Sequence, residues 1–191
     1  HPSIICYTPL NESWGVEGIP YDKEIQAFAM SLYYMIHSLD SSRLVISNDG
    51  WEHCKTDLLT IHNYNHGGKE EKEKYLRFVR DLSSREEITK FEMINRFIVN
   101  PGFKDEGQPI ILSEFGGVAF KKDTGGKAWG YTTSSSEEEY EADLRRIYAA
   151  IQKSSCIQGI CYTQLTDVEQ EVNGLMTFDR KFKIDPSIIK E

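Results

Sequence analysis

The stretch Pro109-Ile110-Ile111-Leu112-Ser113-Glu114-Phe115-Gly116-Gly117 sets the pattern for the whole chain. Its apolar residues follow one another without alternation, which is typical of a strand that is covered on both faces of a sheet. Polar side chains and two glycines then close the stretch. Four other short β-rich runs end in, or are followed by, polar residues in the same way: Ser3–Leu10, Leu44–Asn48, Leu58–Tyr64 and Ile157–Leu165.

Helices are predicted between these strands. Tyr21–Leu39 carries apolar side chains three or four residues apart, which predicts one inward-facing stripe formed by Ile25, Phe28, Leu32, Met35, Ile36 and Leu39. The charged stretch Lys69–Val99 predicts two helices that are broken near Ser83-Ser84. A fourth helix is predicted from Ser136, where Ser136-x-x-Glu139 fits a capping box, to about Lys153.

The alternation of strands and helices predicts an α/β fold, either an open doubly wound sheet or a piece of a (β/α) barrel. No glycine-rich phosphate loop follows any strand, which favours the barrel. The chain has 191 residues and a formal net charge of −8, which excludes a generic binder of nucleic acid or anionic membranes. Its four cysteines are spaced irregularly and predict free thiols, with Cys6 and Cys161 buried.

Residues with catalytic capacity follow every predicted strand. In a (β/α) barrel the active site is built at the carboxyl ends of the strands, so these residues are the candidates. Glu12 follows the first strand and Glu114 lies at the end of the fourth. Two carboxylates that flank one cleft are the minimum apparatus of glycoside hydrolysis. Several aromatic residues offer faces against which a sugar ring can pack, namely Trp14, Trp51, Tyr64, Trp129 and Tyr131.

Three segments, in their order along the chain, resemble the catalytic domain of glycoside hydrolase family 2. They are Asn11-Glu12, Ser113-Glu114-Phe115-Gly116 and Tyr162–Glu169. That family includes β-galactosidases, β-glucuronidases and β-mannosidases, and it belongs to a clan of retaining (β/α)8 enzymes. The resemblance implies a TIM-barrel glycosidase fold in which residues 1–191 are the C-terminal portion of the catalytic barrel domain, a partial barrel of strands four to eight. The start at His1-Pro2, directly before an apolar run, agrees with a cut through a larger protein.

The resemblance also implies roles for individual residues. Glu12 matches the general acid/base and Glu114 the nucleophile, while Tyr64 matches a tyrosine that keeps the nucleophile ionised. Asn11 is expected to bond the sugar 2-hydroxyl. The other predicted substrate-binding residues are Asp49, Trp51, His62, Trp129 and Gln164.

One position departs from the family pattern. Where the better-known β-galactosidases and β-glucuronidases carry a tryptophan at the end of strand eight, this chain has Gln164. Trp129, in the predicted lid loop Lys121–Ser136, is the candidate that replaces the missing platform.

The predicted function is therefore a retaining exo-β-glycosidase, β-galactosidase-like, with a carbohydrate as its partner and without cofactor, metal, nucleic acid or membrane. His62 and His66 are four residues apart but have no glutamate between them in the zincin arrangement, so no metal site is predicted. No lysine or arginine stands out as a clamp for a uronate carboxylate, which favours a neutral sugar. The absence of strands one to three predicts exposed strand edges, self-association and weak or absent activity of the isolated chain.

Two alternatives remain open at this stage. The chain could be a non-catalytic carbohydrate-binding or scaffold remnant of such a barrel, which would bind sugar without turnover. It could also belong to another retaining family of the same clan, such as an endo-acting cellulase or mannanase. Those enzymes tend to show Asn-Glu-Pro where this chain has Asn11-Glu12-Ser13.

Overall fold

The computed structural model describes residues 1–120 and 129–189 of the chain. Residues 121–128, the first half of the predicted lid, lie outside the described residues. The chain divides into two compact units. Unit 1 contains His1–His62, Arg85–Ser113 and Cys156–Ile160, and unit 2 contains Asn63–Ser84, Glu114–Ser155 and Cys161–Glu191.

All five predicted strands and all four predicted helices are present. The strands are β1 (Cys6–Tyr7), β2 (Leu44–Val45), β3 (Leu59–Asn63), β4 (Ile110–Gly116), β5 (Val118–Ala119), β6 (Thr132–Thr133) and β7 (Ile157–Thr163). The helices are α1 (Lys23–Leu39), α2 (Lys72–Asp81), α3 (Arg85–Thr89) and α4 (Glu137–Gln152), with short 3-10 helices at Phe91–Met93 and Pro186–Ile189. β5 and β6 are additional to the sequence prediction.

The strands form three small sheets. β1 pairs in parallel with β2, β5 pairs in parallel with β6, and β3, β4 and β7 form a sheet in the order β3–β4–β7. The predicted α/β class is therefore confirmed. Among residues 1–120 and 129–189 these sheets are open and no closed barrel is formed. None of the helices in these ranges is both long and apolar enough to cross a membrane.

Helix α1 in unit 1 begins two residues after the predicted start at Tyr21 and packs against its unit with a different face. The Asp22 carboxylate caps the helix by accepting hydrogen bonds from the backbone N–H groups of Glu24 and Ile25. The buried residues are Ala29 and Tyr33. The stripe prediction was wrong for three of its six members, since the exposed fractions of the apolar residues Phe28, Met35 and Leu39 are 50, 51 and 81%.

A hydrogen bond on the buried side of α1 explains which of its faces is covered. The Tyr33 hydroxyl donates to Asp57 Oδ1 at 2.6 Å, and Asp57 Oδ2 accepts from the backbone N–H of Val45 on β2 at 2.7 Å. These hydrogen bonds hold the face of α1 that carries Tyr33 against the rest of unit 1. The helix carries more apolar surface than this face covers. Self-association, which the sequence predicts through exposed strand edges, remains a prediction.

The cysteines are free, as predicted, but differ in burial. Cys54 is buried and Cys6 is half-buried, whereas Cys161 is exposed, so the prediction of a buried Cys161 was wrong. Cys161 lies on β7, which is an edge strand of its sheet. Its neighbour Ile160 is also 45% exposed, so β7 is not covered on both faces as its apolar sequence suggested.

Helix α4 in unit 2 confirms half of the predicted capping box. The Ser136 hydroxyl accepts from the backbone N–H of Glu139 at 3.2 Å. The Glu139 carboxylate, however, accepts from the backbone N–H of Ser135 at 2.8 Å, one residue before the cap. The helix buries apolar residues that recur three or four positions apart: Tyr140, Leu144, Ile147 and Ile151.

Candidate active site

In unit 1, chain segments that are distant in sequence meet around Glu12. Asn11 forms a parallel bridge with Asp49, and the backbone N–H of Glu12 donates to the Asp49 carbonyl at 2.9 Å. The Glu12 Oε1 atom lies 2.7 Å from Nδ1 of His62, near the end of β3. The structure thus brings together four predicted site residues, Asn11, Glu12, Asp49 and His62.

His62 lies between two carboxylates of unit 1. Its side chain is buried, and its Nε2 atom is 3.5 Å from Oδ2 of Asp49. Burial acts to raise the pKa of Asp49, but polar interactions with His62, Ser113 and Thr60 outweigh it and lower the pKa to about 2. Asp49 is therefore ionised at neutral pH, and its negative charge lies beside the imidazole that contacts Glu12.

Trp51 also contacts His62. The two rings meet edge to face, with centroids 5.5 Å apart. The guanidinium carbon of Arg96 stands 4.8 Å from the centroid of the Trp51 ring, a cation–π distance. Arg96 lies in a stretch of mixed charge, where no local sequence pattern marks it as a site residue.

His53 follows Trp51 by two residues, and its side chain is buried and neutral. Its Nε2 atom is 2.9 Å from the carbonyl of Thr60, and no partner for its Nδ1 atom is found among the described residues. Burial lowers its pKa from 6.5 to about 4, against smaller opposing effects of Thr60 and Asp49. His53 therefore contributes to the pH dependence of folding.

We expect acidification from pH 6.5 to pH 4 to destabilise the protein through His53. In this window the unfolded chain binds a proton at this residue and the folded chain does not, so stability falls as the pH falls, by about 3 kcal/mol at most. Urea unfolding of wild type and His53→Gln at pH 7, 5 and 4 measures the effect, and the variant should show the shallower slope. His1→Gln, at an exposed histidine, is the control, and equal slopes in all three proteins would contradict the prediction.

In unit 2, Tyr64 holds the Glu114 carboxylate. The Tyr64 hydroxyl donates to Glu114 Oε2 at 2.7 Å. Burial and the bond to Glu114 raise the pKa of Tyr64 above its ordinary range and outweigh a hydrogen bond with Thr163 that lowers it. The phenol therefore stays protonated and remains a donor to the carboxylate.

Aromatic rings cover Tyr64 in this unit. Tyr131 stacks on Tyr64 with ring centroids 3.7 Å apart and an interplanar angle of 6°, and Trp129 meets Tyr131 at 5.1 Å. Gly117 permits this stack, because a Cβ atom there would lie 2.5 Å from Cδ2 of Tyr131. Trp129 and Tyr131 are both about half exposed. The sequence marks Tyr131 as one of the aromatic residues that could pack against a sugar ring, but no local pattern predicts its contact with Tyr64.

Gln164 follows β7 directly, after a cis peptide bond with Thr163. Its Nε2 atom donates to Asn173 Oδ1 at 2.8 Å and to Glu171 Oε2 at 3.3 Å. The Trp129 carbonyl accepts a hydrogen bond from the backbone N–H of Val172 in the same segment. The two residues that the sequence analysis linked, Gln164 and Trp129, therefore contact one short stretch of chain.

The predicted site residues form one group in each unit. The Glu12 group in unit 1 contains Asn11, Glu12, Asp49, Trp51 and His62, and the Glu114 group in unit 2 contains Tyr64, Glu114, Trp129 and Gln164. In each group a ring side chain, His62 or Tyr64, binds the carboxylate. Such a carboxylate is held in one orientation and can serve as an acid, a base or a nucleophile.

Solved structures match this chain over its whole length. β-Glucuronidase from Bifidobacterium dentium, complexed with coumarin-3-O-glucuronide, matches at a TM-score of 0.66 and 19% identity. β-D-Glucuronidase from Dictyoglomus thermophilum matches at 0.64 and 18%, and a GH2 β-galacturonidase from Eisenbergiella tayi, bound to glycerol, at 0.61 and 16%. This chain has the fold of the matched part of these proteins.

The match covers 100% of this chain and 30, 32 and 33% of those three chains, respectively. The chain therefore spans about a third of the length of the solved structures that it matches. No protein-family model and no curated protein matches its sequence. At identities of 16 to 19%, the likeness is one of fold.

Proposed function

We propose that this chain carries the catalytic carboxylates of a retaining β-glycosidase of glycoside hydrolase family 2. In this proposal residues 1–191 are strands four to eight of a (β/α)8 catalytic barrel. The observation that carries it is the hydrogen bond from the Tyr64 hydroxyl to Glu114, because the resemblance pairs these two residues as nucleophile and supporting tyrosine. The fold shared with β-glucuronidases and a β-galacturonidase supports the same assignment.

The proposed reaction has two displacements. In the first, the Glu114 carboxylate attacks the anomeric carbon while the Glu12 carboxylic acid protonates the departing glycosidic oxygen. In the second, the Glu12 carboxylate takes a proton from water, and the resulting hydroxide displaces Glu114 from the sugar. Both displacements invert the anomeric carbon, so the released sugar retains its configuration. The Tyr64 hydroxyl stabilises Glu114 as an anion before attack and after release.

For the sugar, we propose a neutral β-hexoside, with β-galactoside first. A β-uronide is the second candidate, because the matched structures are glucuronidases and a galacturonidase. Arg96 beside Trp51 supplies a cation in the Glu12 group, which is compatible with a uronate carboxylate. Its charge is already paired with Glu52 at 3.2 Å, and for that reason the neutral sugar stays first.

The test is p-nitrophenol release from the β-galactoside, β-glucoside, β-mannoside, β-glucuronide and β-galacturonide. It is run on the 191-residue chain and on any longer natural polypeptide that contains it. We expect turnover of one sugar, with the β-anomer as the first product observed by NMR. An α-anomeric first product would contradict the retaining mechanism. Saturable sugar binding without release from any substrate would favour the non-catalytic carbohydrate-binding alternative.

A further inference from the structure

A buried polar network in unit 1 lies directly beside Glu12, and the reaction above makes no use of it. Its members Ser13, Asn48 and Glu52 are 1, 0 and 4% exposed. The backbone N–H of Ser13 donates to Asn48 Oδ1 at 3.0 Å, and Asn48 Nδ2 donates to Ser13 Oγ at 2.9 Å. Asn48 therefore binds both the main chain and the side chain of the residue that follows Glu12.

The direction of these hydrogen bonds is determined by the donors present. A serine hydroxyl has one proton, and because Ser13 Oγ already accepts from Asn48, that proton is directed to Glu52. The Ser13 Oγ to Glu52 Oε2 distance is 2.5 Å. Arg96 Nη1 donates to the other oxygen of Glu52 at 3.2 Å. Glu52 is thus an acceptor on both oxygens, and the chain of donors that begins at Asn48 ends on it.

The network holds a turn that is unfavourable for the residues in it. Glu12 and Ser13 have φ angles of 53° and 60°, in the left-handed region that residues other than glycine rarely adopt. Such a conformation persists only where the surrounding structure over-determines it. The Glu12 carboxylate is aimed by this turn, because the direction of a side chain follows from its backbone angles.

Glu52 is itself anchored to a distant segment. Its backbone N–H donates to the carbonyl of Phe97 at 2.7 Å, and its own carbonyl accepts from Asn100 Nδ2 at 2.6 Å. The backbone that carries its carboxylate is therefore fixed by contacts outside the turn at Glu12. A fixed acceptor of this kind can impose a conformation on Ser13.

We propose that Glu52 is a positioning residue for Glu12. Through the Ser13 hydroxyl it holds the left-handed turn that directs the Glu12 carboxyl group to the departing glycosidic oxygen. This inference rests on the proposed function, in which Glu12 is the general acid. The His62 bond orients the carboxylate itself, whereas the Glu52 network orients the backbone that carries it.

The role can be separated from a merely structural one by the leaving group. A methoxide leaving group must be protonated as it departs, so hydrolysis of a methyl glycoside needs a well-placed Glu12. A 2,4-dinitrophenolate departs without protonation and makes little demand on Glu12. The ratio kcat/KM reports the first displacement alone, so it is not affected by the later use of Glu12 as a base. Loss of folded protein would lower the apparent kcat/KM equally on both glycosides.

The experiment compares Glu52→Ala with Glu52→Gln on methyl and 2,4-dinitrophenyl glycosides of the sugar that is turned over. We expect Glu52→Ala to lower kcat/KM by about 30-fold or more on the methyl glycoside and by less than about threefold on the dinitrophenyl glycoside. Glu52→Gln should recover most of the loss, because its amide oxygen still accepts from Ser13. Ser13→Ala, which removes the hydroxyl, should show the same substrate split as Glu52→Ala.

The matched control is Asp105→Ala. Asp105 is an exposed residue in the same unit, and its substitution removes an ion pair with Arg85 at 2.6 Å. The kcat/KM on both glycosides should stay unchanged. Hydrogen exchange at the Ser13 amide is a readout that needs no turnover, and we expect it to be about tenfold faster in Glu52→Ala and unchanged in Asp105→Ala. Equal losses on both glycosides, or unchanged exchange at Ser13, would overturn the positioning role. Absence of turnover with every glycoside, by the longer polypeptide as well as by the 191-residue chain, would instead overturn the proposed function, and the exchange result would be read separately.

Discussion

Glu114→Ala is expected to lower kcat/KM on the best aryl glycoside by at least about 10⁴-fold. The substitution removes the proposed nucleophile, and losses of this size follow when a nucleophile is deleted from an otherwise intact site. The Tyr64 hydroxyl would lose its acceptor but stay in place, since its ring is stacked on Tyr131. The measurement is initial-rate kinetics, with circular dichroism to verify that the variant is folded.

Added azide distinguishes the two carboxylates. In Glu114→Ala, azide can occupy the space of the missing carboxylate and attack the anomeric carbon once, which gives the α-glycosyl azide. In Glu12→Ala an activated substrate still forms the glycosyl-enzyme, and azide then displaces Glu114 to give the β-glycosyl azide. Glu141→Ala, a carboxylate of α4 paired with Arg145, is the control and should keep wild-type rates. The same azide anomer from both variants would contradict the assigned roles.

Lys183→Ala is expected to have the largest effect on stability. The Lys183 side chain is 1% exposed, and its Nζ atom donates to the carbonyls of Phe120 and Val172 at 2.8 and 2.7 Å and to Asp167 Oδ1 at 2.7 Å. Burial lowers the pKa of Lys183, and Asp167 partly restores it. Removal of the ammonium group leaves a carboxylate and two carbonyls without their shared donor.

We expect this loss to lower the free energy of unfolding by about 3–5 kcal/mol, which is a large part of the stability of an ordinary domain. Urea unfolding followed by circular dichroism measures it. Lys181→Ala is the matched control, because Lys181 is exposed and two residues away, and its effect should stay within about 0.5 kcal/mol. A Lys183→Ala variant within about 1 kcal/mol of wild type would contradict the prediction.

The longer helices and strands of this protein could be predicted closely from its sequence, whereas the short strands β5 and β6 could not. The strand predicted over Leu58–Tyr64 is β3 at Leu59–Asn63, and the helix predicted from Ser136 is α4 at Glu137–Gln152. These features depend on periodicity and on caps within a few residues, which are local properties. The pairing of Tyr64 with Glu114 could also be predicted, but only through the resemblance to a family.

Contacts between distant residues were not predicted in the same way. Ser13 and Glu52 are 39 residues apart, and no local pattern marks either as the partner of the other. The same is true of Arg96 above Trp51 and of Tyr131 against Tyr64. The role of a buried polar side chain can be assigned only when its hydrogen-bond donors and acceptors have been located.

The sequence by itself determined the α/β class, the order of its elements and the polar residues at the strand ends, because these depend on local spacing of apolar and polar side chains. Only the tertiary structure decided which face of α1 is covered, which residues fix the Glu12 turn and which acceptors surround Lys183. Those outcomes depend on burial and on hydrogen bonds between segments far apart in the chain. Burial and hydrogen bonds of this kind contribute free energy only when the distant segments have come together in the folded chain.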